Sequence, residues 1–85
     1  MSHLESAVQR YIQLHLDSMA GPNHTAHVYT VTEEGFVILV KRVGSKAWHK
    51  ESMFTLTWQE SLQMLTLSNL GMSIELARRV EERKK

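Results

Sequence analysis

The run Phe-Val-Ile-Leu-Val at residues 36–40 is apolar at every position, and it constrains the fold more than any other feature of the chain. It follows a segment rich in β-branched and aromatic residues, from which the turn-forming sequence Glu-Glu-Gly at 33–35 separates it. Two such segments around a turn predict an antiparallel hairpin. Because alternate strand residues point to opposite faces, a strand without polar positions is expected to be covered on both faces. We therefore predict that residues 36–40 form the central strand of a sheet.

A helix is predicted before this hairpin, from about Leu4 to Met19. Ser2 and Glu5 have the spacing of a capping box, and the Ala-Gly-Pro sequence at 20–22 ends the helical pattern. The predicted apolar stripe consists of Leu4, Val8, Tyr11, Ile12, His15, Leu16 and Met19.

After the hairpin, the sequence Phe-Thr-Leu-Thr-Trp-Gln-Glu-Ser-Leu-Gln-Met-Leu at 54–65 changes its period halfway. Its first part alternates as a strand does, and the part after Trp58 has helical spacing. Thr57 and Glu60 have the spacing of a second capping box. Gly71 then interrupts the helical pattern, and Ser73 is a suitable N-cap, which predicts a separate last helix from Ile74.

These elements give an α+β fold in the order α-β-β-β-α-α, with residues 1–85 as a single small domain and one or two C-terminal helices after a three-stranded antiparallel sheet. A single helix face cannot cover both sides of such a sheet. Either the terminal helices pack on both faces, or a second copy or a partner protein closes one face.

Composition bounds the compartment and the chemistry. No cysteine is present, which excludes disulfides, thiolate zinc sites and thiol nucleophiles and favours a reducing cytoplasm. No apolar run approaches the roughly 20 residues of a membrane span. The single aspartate, Asp17, gives no catalytic triad, and His24 and His27 would point to opposite faces of a strand. We expect neither an enzyme nor a metal or cofactor site.

Charge is distributed unevenly along the chain. Residues 1–40 carry one basic and four acidic side chains and residues 41–85 carry nine and five, which together give the net charge of +1. The second half could therefore face an acidic partner. Two tryptophans and five methionines also exceed what so small a core needs, and such residues are enriched at interfaces. The candidate partner-binding residues are Lys41, Arg42, Lys46, Trp48, His49, Lys50, Arg78 and Arg79.

Residues 54–85 resemble the ribbon-helix-helix repressors in their order of short strand, helix, turn with Gly and Ser, and second helix. The resemblance implies a dimer in which Thr55 and Thr57 face DNA bases and Ser73 holds a phosphate. The order helix, three strands, helix is also similar to the double-stranded-RNA-binding domain. That family has lysines where this chain has the acidic sequence Thr-Trp-Gln-Glu-Ser-Leu-Gln at 57–63.

The leading hypothesis is a small cytoplasmic protein that acts by protein–protein contact, as an adaptor, regulator or inhibitor of a larger partner with an acidic surface. A mobile element is one possible origin, because proteins of mobile elements are often small single domains. The alternative is a nucleic-acid-binding transcriptional regulator of the ribbon-helix-helix kind. A homodimer is compatible with both hypotheses, and no membrane is expected as a partner.

Overall fold

The computed structural model describes residues 3–45, 50–66 and 70–84 of the 85-residue chain. The three strands form one antiparallel sheet in the order β1-β2-β3. The α+β architecture and the central position of β2 are thus as predicted. The elements are α1 (His3–Ala20), β1 (His24–Val31), β2 (Gly35–Arg42), a 3-10 turn (Lys50–Ser52), β3 (Met53–Thr57), α2 (Trp58–Thr66) and α3 (Leu70–Arg83).

α1 spans nearly the residues that its apolar stripe predicts. Ile12 and Leu16 from that stripe are fully buried. The helix ends where Gly21 takes a positive φ of 83°, a conformation that glycine adopts without the steric cost of a Cβ atom. Ser2, the predicted N-cap, lies outside the described residues.

α1 and α3 contribute buried residues to a core on one face of the sheet, and half-buried Trp58 of α2 packs against it. The sheet side chains in this core are in register across the strands, as in the row Ile38 and Phe54. No described side chain of the opposite sheet face belongs to the same cluster. Of the two arrangements that the sequence left open, the described residues therefore do not show the one with terminal helices on both faces. The buried cluster comprises Val8, Ile12, Leu16, Ala20, Ala26, Phe36, Ile38, Val40, Phe54, Leu56, Leu76 and Val80.

The last helix begins earlier than its sequence predicts. α3 starts at Leu70, so Gly71 and Ser73 lie within it, and the prediction that Ser73 caps a helix beginning at Ile74 is wrong. A glycine in a helix costs about 1 kcal/mol. Burial of Leu76 and Val80 from the same helix offsets a cost of that size. The prediction of two C-terminal helices is confirmed.

The junction between β3 and α2 is stabilised by a capping box and by contacts of Trp58 with the hairpin. The amide of Thr57 donates to Glu60 Oε1 at 2.9 Å and the amide of Glu60 donates to Thr57 Oγ1 at 3.2 Å, which confirms the predicted capping box. Trp58 donates from Nε1 to the carbonyl of Glu33 at 2.8 Å. Its ring also packs edge-on against Phe36, with 4.9 Å between ring centroids. The tryptophan therefore has a structural role at the turn.

A glutamine from α1 protects one edge of the sheet. Gln13 accepts a hydrogen bond from the amide of Val28 at 3.2 Å and donates to the carbonyl of Ala26 at 3.0 Å. β1 is an edge strand, so these backbone groups would otherwise be available to another strand. Gln13 thus occupies the place of a neighbouring strand over these residues.

Candidate functional site

The sheet face opposite the helices has no α-helix packed into its core in the described part of the chain. We call it the outer face. Leu39 lies at its centre between His27 of β1 and Met53 of β3, and only 3% of its surface is exposed. Val37 and its neighbour Thr55 are half-buried. The residues of the outer face are Thr25, His27, Thr30, Val37, Leu39, Lys41, Met53, Thr55 and Thr57.

Two basic residues end the central strand at one side of this face. Lys41 lies on the outer face opposite Thr25. Arg42 follows it, exposed, opposite His24 and on the helix-facing side of the strand, since strand residues alternate between faces. Neither basic side chain has an ion-pair or hydrogen-bond partner among the described residues. Two unpaired positive charges at the end of the sheet attract acidic groups.

The other predicted partner-binding residues near this end belong to the connection between β2 and the 3-10 turn. Lys46, Trp48 and His49 lie outside the described residues. Lys50 begins the 3-10 turn that leads into β3, and its side chain is also outside the description. The chain order therefore brings the start of this turn back to the sheet end that carries Lys41 and Arg42.

Arg79, which the sequence places among the partner-binding residues, is engaged within the fold. Its guanidinium lies 2.7 Å from Glu60 Oε2 and donates to the carbonyl of Thr55 at 3.0 Å. It also lies 4.8 Å from the centre of the Phe54 ring. Arg79 therefore joins α3 to α2 and to the outer edge of β3.

Arg78, the neighbouring residue, lies on the exposed side of α3. It pairs with Glu75 at 2.6 Å and also with Glu82. The hydrogen bond from Arg78 lowers the pKa of the Glu75 carboxyl, and the same bond raises the pKa of Arg78. Because α3 is in the helix layer, the structure places Arg78 and Arg79 on the other side of the sheet from Lys41.

Replacing Arg79 by alanine is expected to lower the free energy of unfolding by about 1–2 kcal/mol, because it removes an ion pair and a backbone hydrogen bond at a partly buried site. Arg78→Ala is the matched control, since solvent screens its exposed pairs. Urea denaturation followed by circular dichroism measures both. Equal effects of the two substitutions would contradict the role given to Arg79.

The outer edge of β3 bears on the ribbon-helix-helix resemblance. Thr55 and Thr57 do lie on the sheet face away from the helices, as the resemblance requires. The carbonyl of Thr55 accepts from Arg79, however, and the amide of Thr57 donates to Glu60. Pairing of β3 with the same strand of a second copy would have to displace both contacts. Ser73 lies within α3 and does not begin it.

The described histidines and carboxylates do not form a metal site. No group of three or more of them is close enough to hold an ion within residues 3–45, 50–66 and 70–84. Likewise, no helix in these ranges is long and apolar enough to cross a bilayer. Comparison with known proteins finds no matching family model, no matching curated protein and no matching solved structure.

Proposed function

We propose that this protein acts by protein–protein contact in the cytoplasm, as an adaptor, regulator or inhibitor of a larger partner. The outer face is the observation that carries the proposal. An antiparallel sheet with one face in water usually alternates apolar and polar residues. β2 instead places Val37 and Leu39 on the outer face. The chain itself covers Leu39, whereas Val37, Met53 and Thr55 are only half-buried, and a partner protein would cover this open part of the face.

The charges at the edge of this face support an acidic partner. Lys41 is the one charged side chain among the strand residues of the outer face, and Arg42 is next to it. Interface centres are poor in charge, whereas charged residues at the rim steer the partner and set its orientation. Lys46, Trp48 and Lys50, in the connection after β2, stay predicted partner-binding residues, and an exposed tryptophan is a typical interface anchor.

The double substitution Lys41→Glu and Arg42→Glu is expected to weaken binding of the partner by about tenfold or more, because it replaces two attractive charges by repulsive ones. The partner is first isolated from lysate on immobilised protein, treated with nuclease and identified, and its affinity is then measured by titration calorimetry. Arg10→Glu is the control, since Arg10 is an exposed base on α1.

Three results would contradict this proposal. The first is equal weakening by the α1 control, and the second is loss of all retained material after nuclease treatment. The third is an affinity that falls steeply with salt in the manner of counterion release, which would favour a nucleic acid as the partner.

A further inference from the structure

A second surface lies at the other end of the sheet, where the hairpin turn meets α2. Val31 pairs with Phe36 across the hairpin, and the Phe36 ring contacts Trp58. Leu62 follows Trp58 by one helical turn and so lies on the same side of α2. Val31 is 43% exposed and Leu62 is 50% exposed. We call Val31, Trp58 and Leu62, with Glu33 and Glu34 beside them, the hairpin-end surface.

The hairpin-end surface is acidic. Glu33 and Glu34 are exposed at the turn, and neither carboxylate has an ion-pair partner in the described part of the chain. Residues 24–40 and 51–77, which build this end, contain no lysine or arginine, and the nearest described base, Arg79 of α3, is paired with Glu60. Apolar side chains beside unpaired carboxylates are complementary to a ligand that is both apolar and basic.

We propose that the hairpin-end surface docks a basic amphipathic helix of another protein. Such a helix carries a row of apolar residues at positions three and four apart, which would cover Val31, Trp58 and Leu62. Lysine or arginine beside that row would pair with Glu33 and Glu34. Nucleic acids and anionic membranes carry the same sign of charge as these two glutamates and are repelled by them.

This inference goes beyond the proposed function, because it concerns a different surface with the opposite charge. β2 runs from Gly35 at the hairpin turn to Arg42, and seven steps of about 3.3 Å put the two ends roughly 23 Å apart. Two partners could therefore bind at once, one acidic at the Lys41–Arg42 end and one basic at the hairpin end. A protein with two such surfaces can bridge other proteins, which is the action of an adaptor.

The test uses the full chain and a designed peptide of leucine and lysine with an amphipathic helical pattern, together with a peptide that has glutamate in place of lysine. We expect the lysine peptide to bind, and the glutamate peptide to bind at least about tenfold more weakly. Chemical shifts of the backbone amides should change most near Val31 and Leu62. Leu62→Gln, and separately the double substitution Glu33→Lys and Glu34→Lys, should each weaken binding of the lysine peptide by about tenfold.

Two matched variants complete this test. Leu14→Gln changes a leucine on α1 that is more exposed than Leu62, and Glu51→Lys reverses an exposed carboxylate near β3 at the opposite end of the sheet. Both should bind the lysine peptide as the unaltered protein does. Equal weakening by these controls, or equal affinity for the two peptides, would overturn the proposal. Self-association of the protein that Leu62→Gln abolishes would overturn it as well, because the occupant would then be a second copy.

Discussion

Replacing Gly35 by alanine is expected to destabilise the protein by about 3 kcal/mol or more, or to prevent folding altogether. Gly35 begins β2 with a φ of +153°, which residues with a side chain rarely adopt. A Cβ atom there would lie 2.1 Å from the carbonyl oxygen of Leu56 and 2.8 Å from the Cα atom of Thr57. Both neighbours are backbone atoms of β3, so relief of the clash requires separation of two paired strands.

Gly44→Ala is the control for this prediction. Gly44 also has a positive φ, of 86°, but a Cβ atom there would meet nothing within 4 Å. Only the backbone strain remains, which costs about 1–2 kcal/mol. Urea denaturation of both variants, followed by circular dichroism, separates strain from steric clash. Equal loss of stability in the two variants would show that the close approach of β3 to Gly35 is not a constraint on the fold.

Gly35 also shows which part of the fold the sequence could predict. The Glu-Glu-Gly turn was predictable because it depends on residues next to one another in the chain. The same holds for the capping box of Thr57 and Glu60, whose two hydrogen bonds span three residues. The contact of Gly35 with Leu56 depends on the pairing of β2 with β3, and no local pattern specifies it.

The role of Arg79 was not predictable for a related reason. From the sequence Arg79 is one of two adjacent arginines on a helix, and charge alone favours a partner-binding role for both. The structure separates them, because Arg79 reaches a backbone carbonyl of an edge strand and Arg78 reaches only carboxylates of its own helix. Gln13 protects the other edge strand in the same way, and its sequence context carries no signal for that contact.

The sequence predicted candidate residues at the Lys41–Arg42 end but not the hairpin-end surface. Lys41 and Arg42 were candidates from the sequence because two bases directly follow the apolar run of β2, which also predicted a strand with two apolar faces. The hairpin-end surface was missed, because its apolar residues come from β1 and α2, more than 25 residues apart in the chain. Strand pairing and the contact of Phe36 with Trp58 bring them together.

Replacing Leu16 by alanine is expected to lower the free energy of unfolding by about 3 kcal/mol, whereas Leu14→Ala should change it by less than about 0.5 kcal/mol. Both leucines are in α1, and the substitution is chemically identical, but Leu16 is fully buried while 70% of Leu14 is exposed. The loss at Leu16 combines lost apolar burial with the cavity left between α1 and the sheet. It is a large share of the stability of a domain of this size, about 0.05–0.15 kcal/mol per residue. The urea denaturation midpoints of the two variants measure this difference in stability. Similar midpoints would mean that α1 does not pack on the sheet through its predicted stripe.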